Sequence, residues 1–141
     1  MIKIRRFVID SIIESTPFPP PETGGILGLK EDVICHYYPD FGMKNERGDH
    51  YSPSTKALNL TISEWNTHDI VFCGIYHSHF EGDVCLSKGD LKYINNILFH
   101  VNHFTDSLLF PLVFPKKEMI FYKAFLRNDR VEVIRENIHV V

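Results

Sequence analysis

The sequence predicts an α/β domain: a curved mixed β-sheet with three helices packed against it. Three stretches set apolar residues at helical spacing, and six shorter apolar runs bounded by turn-formers read as strands. The chain has 141 residues, 44% hydrophobic and 23% charged. That is the make-up of one globular domain, 1–141, long enough for a proper core and with little room for a second.

Each element follows from its residues. Arg5 to Thr16 is a helix with Val8, Ile9, Ile12 and Ile13 on one side. Pro17-Phe18-Pro19-Pro20-Pro21 stops it, because proline cannot continue a helix and holds the preceding residue extended. Gly24 to Lys30 and Val33 to Tyr38 are strands joined by a turn at Lys30-Glu31-Asp32. Pro39 to Ser54, with Gly42, Asn45, Gly48, Asp49 and Pro53, is a long loop. Thr55 to Thr67 is a second helix, with Leu58, Ile62 and Trp65 on its apolar face. The run from Ile70 to Tyr76 is a buried strand, and a loop leads to a third helix from Ser87 to about Phe99, with Leu91, Ile94 and Leu98 inward. Leu108 to Phe114, Met119 to Leu126 and Val131 to Val140 close the chain as three strands, with turns at Lys116-Lys117 and Asn128-Asp129.

The chemistry concentrates in residues 77–90, which read H-x-H-x7-S-x2-D. Side chains two apart on a strand share a face, so His77 and His79 point the same way from the end of the Ile70–Tyr76 strand. With Asp90 they supply three ligands, the usual protein share of a catalytic zinc site, one Zn²⁺ per chain. One anionic ligand leaves the ion net positive, able to lower the pKa of a water from 15.7 toward about 7. Glu22, just before the glycine-flanked strand, suits a general base beside that water. Ser87 is a neutral donor for the oxygen that gains charge in an acyl-transfer intermediate.

These residues resemble the JAMM (JAB/MPN) metalloprotease family, whose signature is a distant glutamate followed by H-x-H-x7-S-x2-D. The P-x-E-x-x-G-x-L-G setting, here Pro20, Glu22, Gly25, Leu27 and Gly28, is similar to the family as well. From Glu22 through Asp90 the resemblance spans about half the chain. It implies a single JAB/MPN-like metalloprotease domain with the same roles for His77, His79, Asp90, Glu22 and Ser87. It also implies a peptidase or isopeptidase whose substrate is a ubiquitin-like or sulfur-carrier protein, cut after its carboxyl-terminal tail, with an activating enzyme as an associated partner. The other reading within the family is a non-catalytic MPN-type interaction module. Two positions depart from the pattern: Phe80 and Leu86 stand where prolines are usual, which predicts a freer Phe80–Leu86 segment.

Plainer readings compete residue by residue. Ser87-Lys88-Gly89-Asp90 before an apolar run is also a capping box, and a carboxylate committed to a metal is expected not to cap. Glu81 and Asp83 read as solvated, with Asp83 near enough in sequence to reach the ion. Cys85 is a further possible ligand between the histidines and Asp90, and Cys73 a small core residue. His36, His50, His68, His100, His103 and His139 read as structural or exposed. A zinc nucleobase deaminase needs H-x-E and P-C-x-x-C, and the chain has neither.

Composition narrows the setting. A net charge of −3 offers no basic stripe for nucleic acid. No stretch reaches the roughly 20 apolar residues that span a bilayer, and Met1 to Arg6 lacks the apolar core of a signal peptide. Three cysteines without a C-x-x-C pair fit a reducing compartment. The expectation is a cytoplasmic protein without membrane or nucleic-acid partners.

Overall fold

The computed structural model describes residues 2–43, 51–101 and 105–141, the side chain of His100 excepted. Asn45, Gly48, Asp49, His50 and His103 lie outside these residues. The elements are β1 (Ile2–Ile4), α1 (Arg6–Ser15), β2 (Gly24–Lys30), β3 (Val33–Asp40), α2 (Thr55–Asn66), β4 (Val71–Ser78), α3 (Lys88–Val101), β5 (Ser107–Leu109), β6 (Leu112–Phe114), β7 (Glu118–Ile120), β8 (Tyr122–Arg127), β9 (Arg130–Arg135) and β10 (Ile138–Val140).

All these strands join one mixed sheet in the order β10-β1-β3-β2-β4-β5-β8-β9, with β6 paired to β4 and β7 to β6. The connectivity requires the sheet to curl. β9 and β10 stand at opposite ends of this eight-strand path, yet only Glu136 and Asn137 separate them in the chain. A flat path of that width spans about 34 Å, whereas the chain from Arg135 to Ile138 reaches at most about 10 Å. The fold is therefore a mixed α/β domain whose sheet curls into a half-barrel carrying three helices.

Helices cover both faces. Val8 and Ile12 of α1, one turn apart and fully buried, pack with Ile4, Leu27, Ile34, Tyr76 and Val113. Leu58 of α2 and Ile94 and Leu98 of α3 pack with Ile26, Phe72, Ile75 and Phe110. Adjacent residues of one strand, Ile26 and Leu27 or Ile75 and Tyr76, divide between the two clusters as the pleat demands. Each fully buried aliphatic side chain contributes roughly 1.5–3 kcal/mol.

The turns form where expected. Lys30 pairs with Val33 across Glu31 (φ 52°) and Asp32 (φ 65°), and Arg127 pairs with Arg130 across Asn128 (φ 51°) and Asp129 (φ 62°). Two positive φ values in a two-residue loop are the type I′ signature, whose twist suits a hairpin.

Several expectations change. Each of the three closing strands is two short ones. Pro111 interrupts the first, so that Gly74 pairs with Leu109 of β5 while His77 pairs with Leu112 of β6. Phe121 divides the second: β7 serves β6 and β8 serves β5. Glu136-Asn137 divide the third, sending β10 across to β1. β1 was not expected, because three residues are too few to show a period. β3 runs on to Asp40 through Pro39, which is tolerated because β1 pairs β3 only at Val33 and Ile34 and leaves the outer edge there free. Leu91 is 39% exposed rather than inward. Ile94 and Leu98 are fully buried as expected, and Asp90, four residues before Ile94, continues their line in place of Leu91.

Candidate metal centre

The centre is assembled where β2 begins and β4 ends. These strands are antiparallel with Gly24 opposite His77. One residue further out, the Ser78 N–H donates to the Thr23 carbonyl at 2.7 Å, and the Thr23 N–H donates to Ser78 Oγ at 3.0 Å. This clasp fixes the residue after Glu22 against the residue between the two histidines. On the other side the His77 N–H donates to Pro111 (3.2 Å) and the His79 N–H to Val113 (3.0 Å), so the end of β4 is bonded along both edges. A bulge at Cys73 shifts the β2–β4 register between Leu27 and Gly28. It lets Phe72 and Ile75, three apart, share one face, and His77 and His79 follow onto that face, where α3 lies.

There the two imidazoles converge. His77 Nε2 and His79 Nε2 stand 2.9 Å apart, Asp90 Oδ1 is 3.2 Å from His77 Nε2, and Asp90 Oδ2 is 3.1 Å from His79 Nε2. Among the described residues, these donors form a group, all within 4.8 Å of one another, that could hold a metal ion. Both histidines are 2% exposed. Two buried imidazoles with converging nitrogens leave one lone pair or proton too many between them unless a cation or a proton is shared. The His79 ring is oriented from behind: Nδ1 donates to the Asp83 carbonyl at 2.8 Å, leaving Nε2 to offer its lone pair to the centre. His77 Nδ1 and the Tyr93 hydroxyl, by contrast, are buried without a hydrogen-bond partner among the described residues, their rings edge-on at 6.1 Å.

The electrostatics express this crowding. Burial works against charge on Asp90, but hydrogen bonds from His77 and His79 prevail and hold its carboxyl far below the usual carboxylate range. For His79, burial disfavours the imidazolium, yet the Asp90 carboxylate and the Asp83 carbonyl outweigh it and push the pKa up to about 8. Glu22, half-buried, has its pKa raised chiefly by burial and further by Asp90, with His77, His79 and the Tyr51 N–H opposing. Glu22 thus feels the charge of all three donor residues while standing outside their group.

Ser87 and Asp90 form the reciprocal capping box. The Asp90 N–H donates to Ser87 Oγ at 3.0 Å and the Ser87 N–H donates to Asp90 Oδ2 at 2.9 Å. Asp90 therefore caps α3 and faces both histidines at the same time. A carboxylate has about four acceptor sites, so Asp90 caps α3 with one oxygen and meets both imidazoles with the pair. Since Ser87 Oγ accepts here, its own proton is left to donate.

Other expectations resolve plainly. Asp83 is exposed, as expected, and stays outside the donor group; its carbonyl, with Oδ2 at 3.4 Å, backs His79 Nδ1. In the Phe80–Leu86 loop the Asp83 N–H donates to the Phe80 carbonyl (3.0 Å), and the Tyr122 hydroxyl donates to the Val84 carbonyl (2.8 Å). Cys85 is exposed and outside the donor group. Cys73 is half-buried, its thiol pushed up to about 12 by burial. Glu81 pairs with Lys117 at 3.2 Å on the surface, and His36 sits against Cys35 and Trp65.

Sequence reasoning missed three contributors. Ser78 forms the clasp, the Asp83 carbonyl orients His79, and Tyr51 stacks on His77 with planes 10° apart. The first two act through main-chain geometry, and Tyr51 lies in the long loop without a periodic signal. A cavity of about 340 Å³ opens beside His79, walled by Phe18, Pro19, Phe80, Phe114 and Pro115.

Comparison with known proteins adds the fold alone. No protein-family model matches the sequence, and no curated protein matches it. Among solved structures, the chain is similar to the solution structure of protein DSY2949 from Desulfitobacterium hafniense: 18% identity, TM-score 0.70, covering 100% of this chain and 93% of that one. It is also similar to the solution structure of a protein from Salinibacter ruber, at 17% identity and TM-score 0.57, covering 99% of this chain and 91% of the other. Among the described residues, no helix is long and apolar enough to cross a membrane.

Proposed function

We propose that the chain is a zinc-dependent peptidase or isopeptidase of the JAMM type on a JAB/MPN-like fold. On this reading it hydrolyses the amide bond after the carboxyl-terminal tail of a ubiquitin-like or sulfur-carrier protein. The observation that carries the reading is the convergence of the His77, His79 and Asp90 donors beside Glu22, from segments spaced as in the family signature. Tetrahedral zinc with bonds of about 2.0–2.1 Å separates its donors by about 3.3 Å. The observed 2.9–3.2 Å falls a few tenths short of that, and small ring rotations supply the difference. Zinc held there supplies a Lewis acid, drawing the pKa of a water toward about 7.

The protein groups then divide the remaining work. Glu22 takes a proton from water and returns it to the departing amine nitrogen; a carboxyl raised by burial is suited to both halves of that transfer near neutral pH. Ser87 donates its hydroxyl proton to the carbonyl oxygen as charge develops, and the Asp90 N–H holds and polarises that hydroxyl. The Asp83 carbonyl keeps His79 in the tautomer whose Nε2 faces the centre. The cavity beside His79 leaves room for chain next to the scissile bond.

The test pairs zinc content with cleavage of a ubiquitin-like fusion, on wild type and Glu22→Gln. The expected result is zinc in both and hydrolysis in wild type alone. Zinc loss in Glu22→Gln would make Glu22 a ligand. A wild-type chain that takes up no zinc would instead be the non-catalytic interaction module.

A further inference from the structure

Tyr51 has no role in the chemistry above, yet it touches that centre in several ways. Its ring lies almost parallel to His77, with centroids 6.4 Å apart. Its main-chain N–H faces the Glu22 carboxylate and opposes the rise that burial gives its pKa. Its hydroxyl donates to Asp40 Oδ2 at 2.8 Å, and the same oxygen accepts the Ser54 N–H at 2.9 Å. The Met43 N–H donates to the Ser52 carbonyl at 2.7 Å. Residues 51–54 are thus tied at both ends to the region where β3 finishes. The ring also rests on Gly24, where a Cβ would stand 2.6 Å from Tyr51 Cε2. Only a residue without a side chain leaves that seat open.

We infer that Tyr51 is a positioning residue for Glu22: its ring, wedged between Gly24 and His77 and latched by Asp40, holds the main-chain N–H that fixes the Glu22 carboxylate beside the histidines. A glutamate side chain that follows three prolines has its own torsions free, and a fixed, charge-assisted donor selects one arrangement among them. Asp40 and Tyr51 are eleven residues apart, so the latch also couples the end of β3 to the centre. The consequence for turnover rests on the proposed role of Glu22 as base, whereas the positioning does not.

The experiment uses ¹³C-labelled, zinc-loaded full chain. The Glu22 carboxyl resonance is assigned by its disappearance in Glu22→Gln. In Tyr51→Ala that resonance should shift or broaden while zinc content is kept. On a cleavable ubiquitin-like fusion, kcat should fall roughly ten- to hundredfold, the range expected for a misplaced catalytic group, with KM little changed. Tyr51→Phe, which keeps the wedge but loses the hydroxyl latched by Asp40, should recover only part of kcat. Added to Glu22→Gln, Tyr51→Ala should cause no further loss, the non-additivity of two changes acting through one group. An unmoved Glu22 resonance, or a fully additive loss, overturns the inference. Should Tyr51→Ala fail to fold, Asp40→Ala releases the latch and should move the same resonance, and its failure to do so is equally decisive. If wild type hydrolyses nothing, the proposed function fails, and the resonance still decides the role of Tyr51.

Discussion

Ser87→Ala and Ser87→Gly together separate the proposed chemistry of Ser87 from the helix capping that the structure shows there. Ser87 Oγ accepts the Asp90 N–H at 3.0 Å, whereas the reciprocal bond to Asp90 Oδ2 comes from the Ser87 main chain and survives any substitution. Replacing a serine N-cap by alanine costs about 1 kcal/mol, and by glycine only a few tenths. For a domain of this size, about 1 kcal/mol lowers Tm by roughly 3–4 °C. Both variants remove the hydroxyl, and one oxyanion donor is worth about 2.7–4 kcal/mol, or 10²–10³ in kcat. The chemical effect is therefore larger than the capping effect and independent of which residue replaces serine. We expect both variants to keep zinc and to lose similar turnover on a ubiquitin-like fusion, while only Ser87→Ala melts measurably lower. Unchanged turnover in both, with a lower Tm in Ser87→Ala, would refute the reasoning and reduce Ser87 to a cap.

Three more outcomes follow from the same geometry. With His79 titrating at about 8 in metal-stripped protein, zinc must displace a proton below that pH, so affinity should rise about tenfold per pH unit up to 8 and then level. Competition with a chromogenic chelator between pH 6 and 9 reads this directly, and a flat profile would contradict the Asp90–His79 pairing. The sign for stability follows from the same value: raised above 6.5, His79 stabilises stripped protein fully below that pH and loses the contribution as pH rises through 8. Asp90, depressed, works in reverse, its contribution lost as pH falls below the carboxylate range. Gly24→Ala drives a Cβ into the Tyr76 carbonyl oxygen and places it 2.6 Å from the Tyr51 ring. Overpacking of this kind costs about 1–3 kcal/mol in urea unfolding; no loss would mean that the close approach of β4 and Tyr51 is not real.

What the sequence displayed and what it concealed have separate physical origins. Helices α1, α2 and α3 and strands β2 and β4 lie within two residues of their expected ends, because each is long enough to show a period and is bounded by proline, glycine or a cap. The closing strands were legible as extended chain but not as six pieces. Corners at Pro111, Phe121 and Glu136-Asn137 exist because the curled sheet changes partners there, which is a long-range fact. At the centre, His77, His79 and Asp90 were legible from strand alternation and spacing, and the structure brings them together. The coexistence of capping and histidine-facing roles on Asp90 was not, since it depends on which oxygen meets which donor. Tyr51 was concealed altogether: its contacts with Gly24, Asp40 and His77 come from three different segments, and nothing local marks it.

Metal stoichiometry tests the central claim most directly. Protein purified without chelator, analysed by mass spectrometry of its metals, should carry about one zinc per chain, the complement of a three-ligand site. His77→Ala/His79→Ala should carry almost none while remaining folded, because the β2–β4 and β4–β6 ladders that hold this end of the strand use main-chain groups. Full zinc occupancy in that double variant, or a wild-type chain that stays metal-free when refolded with excess zinc, would contradict the account.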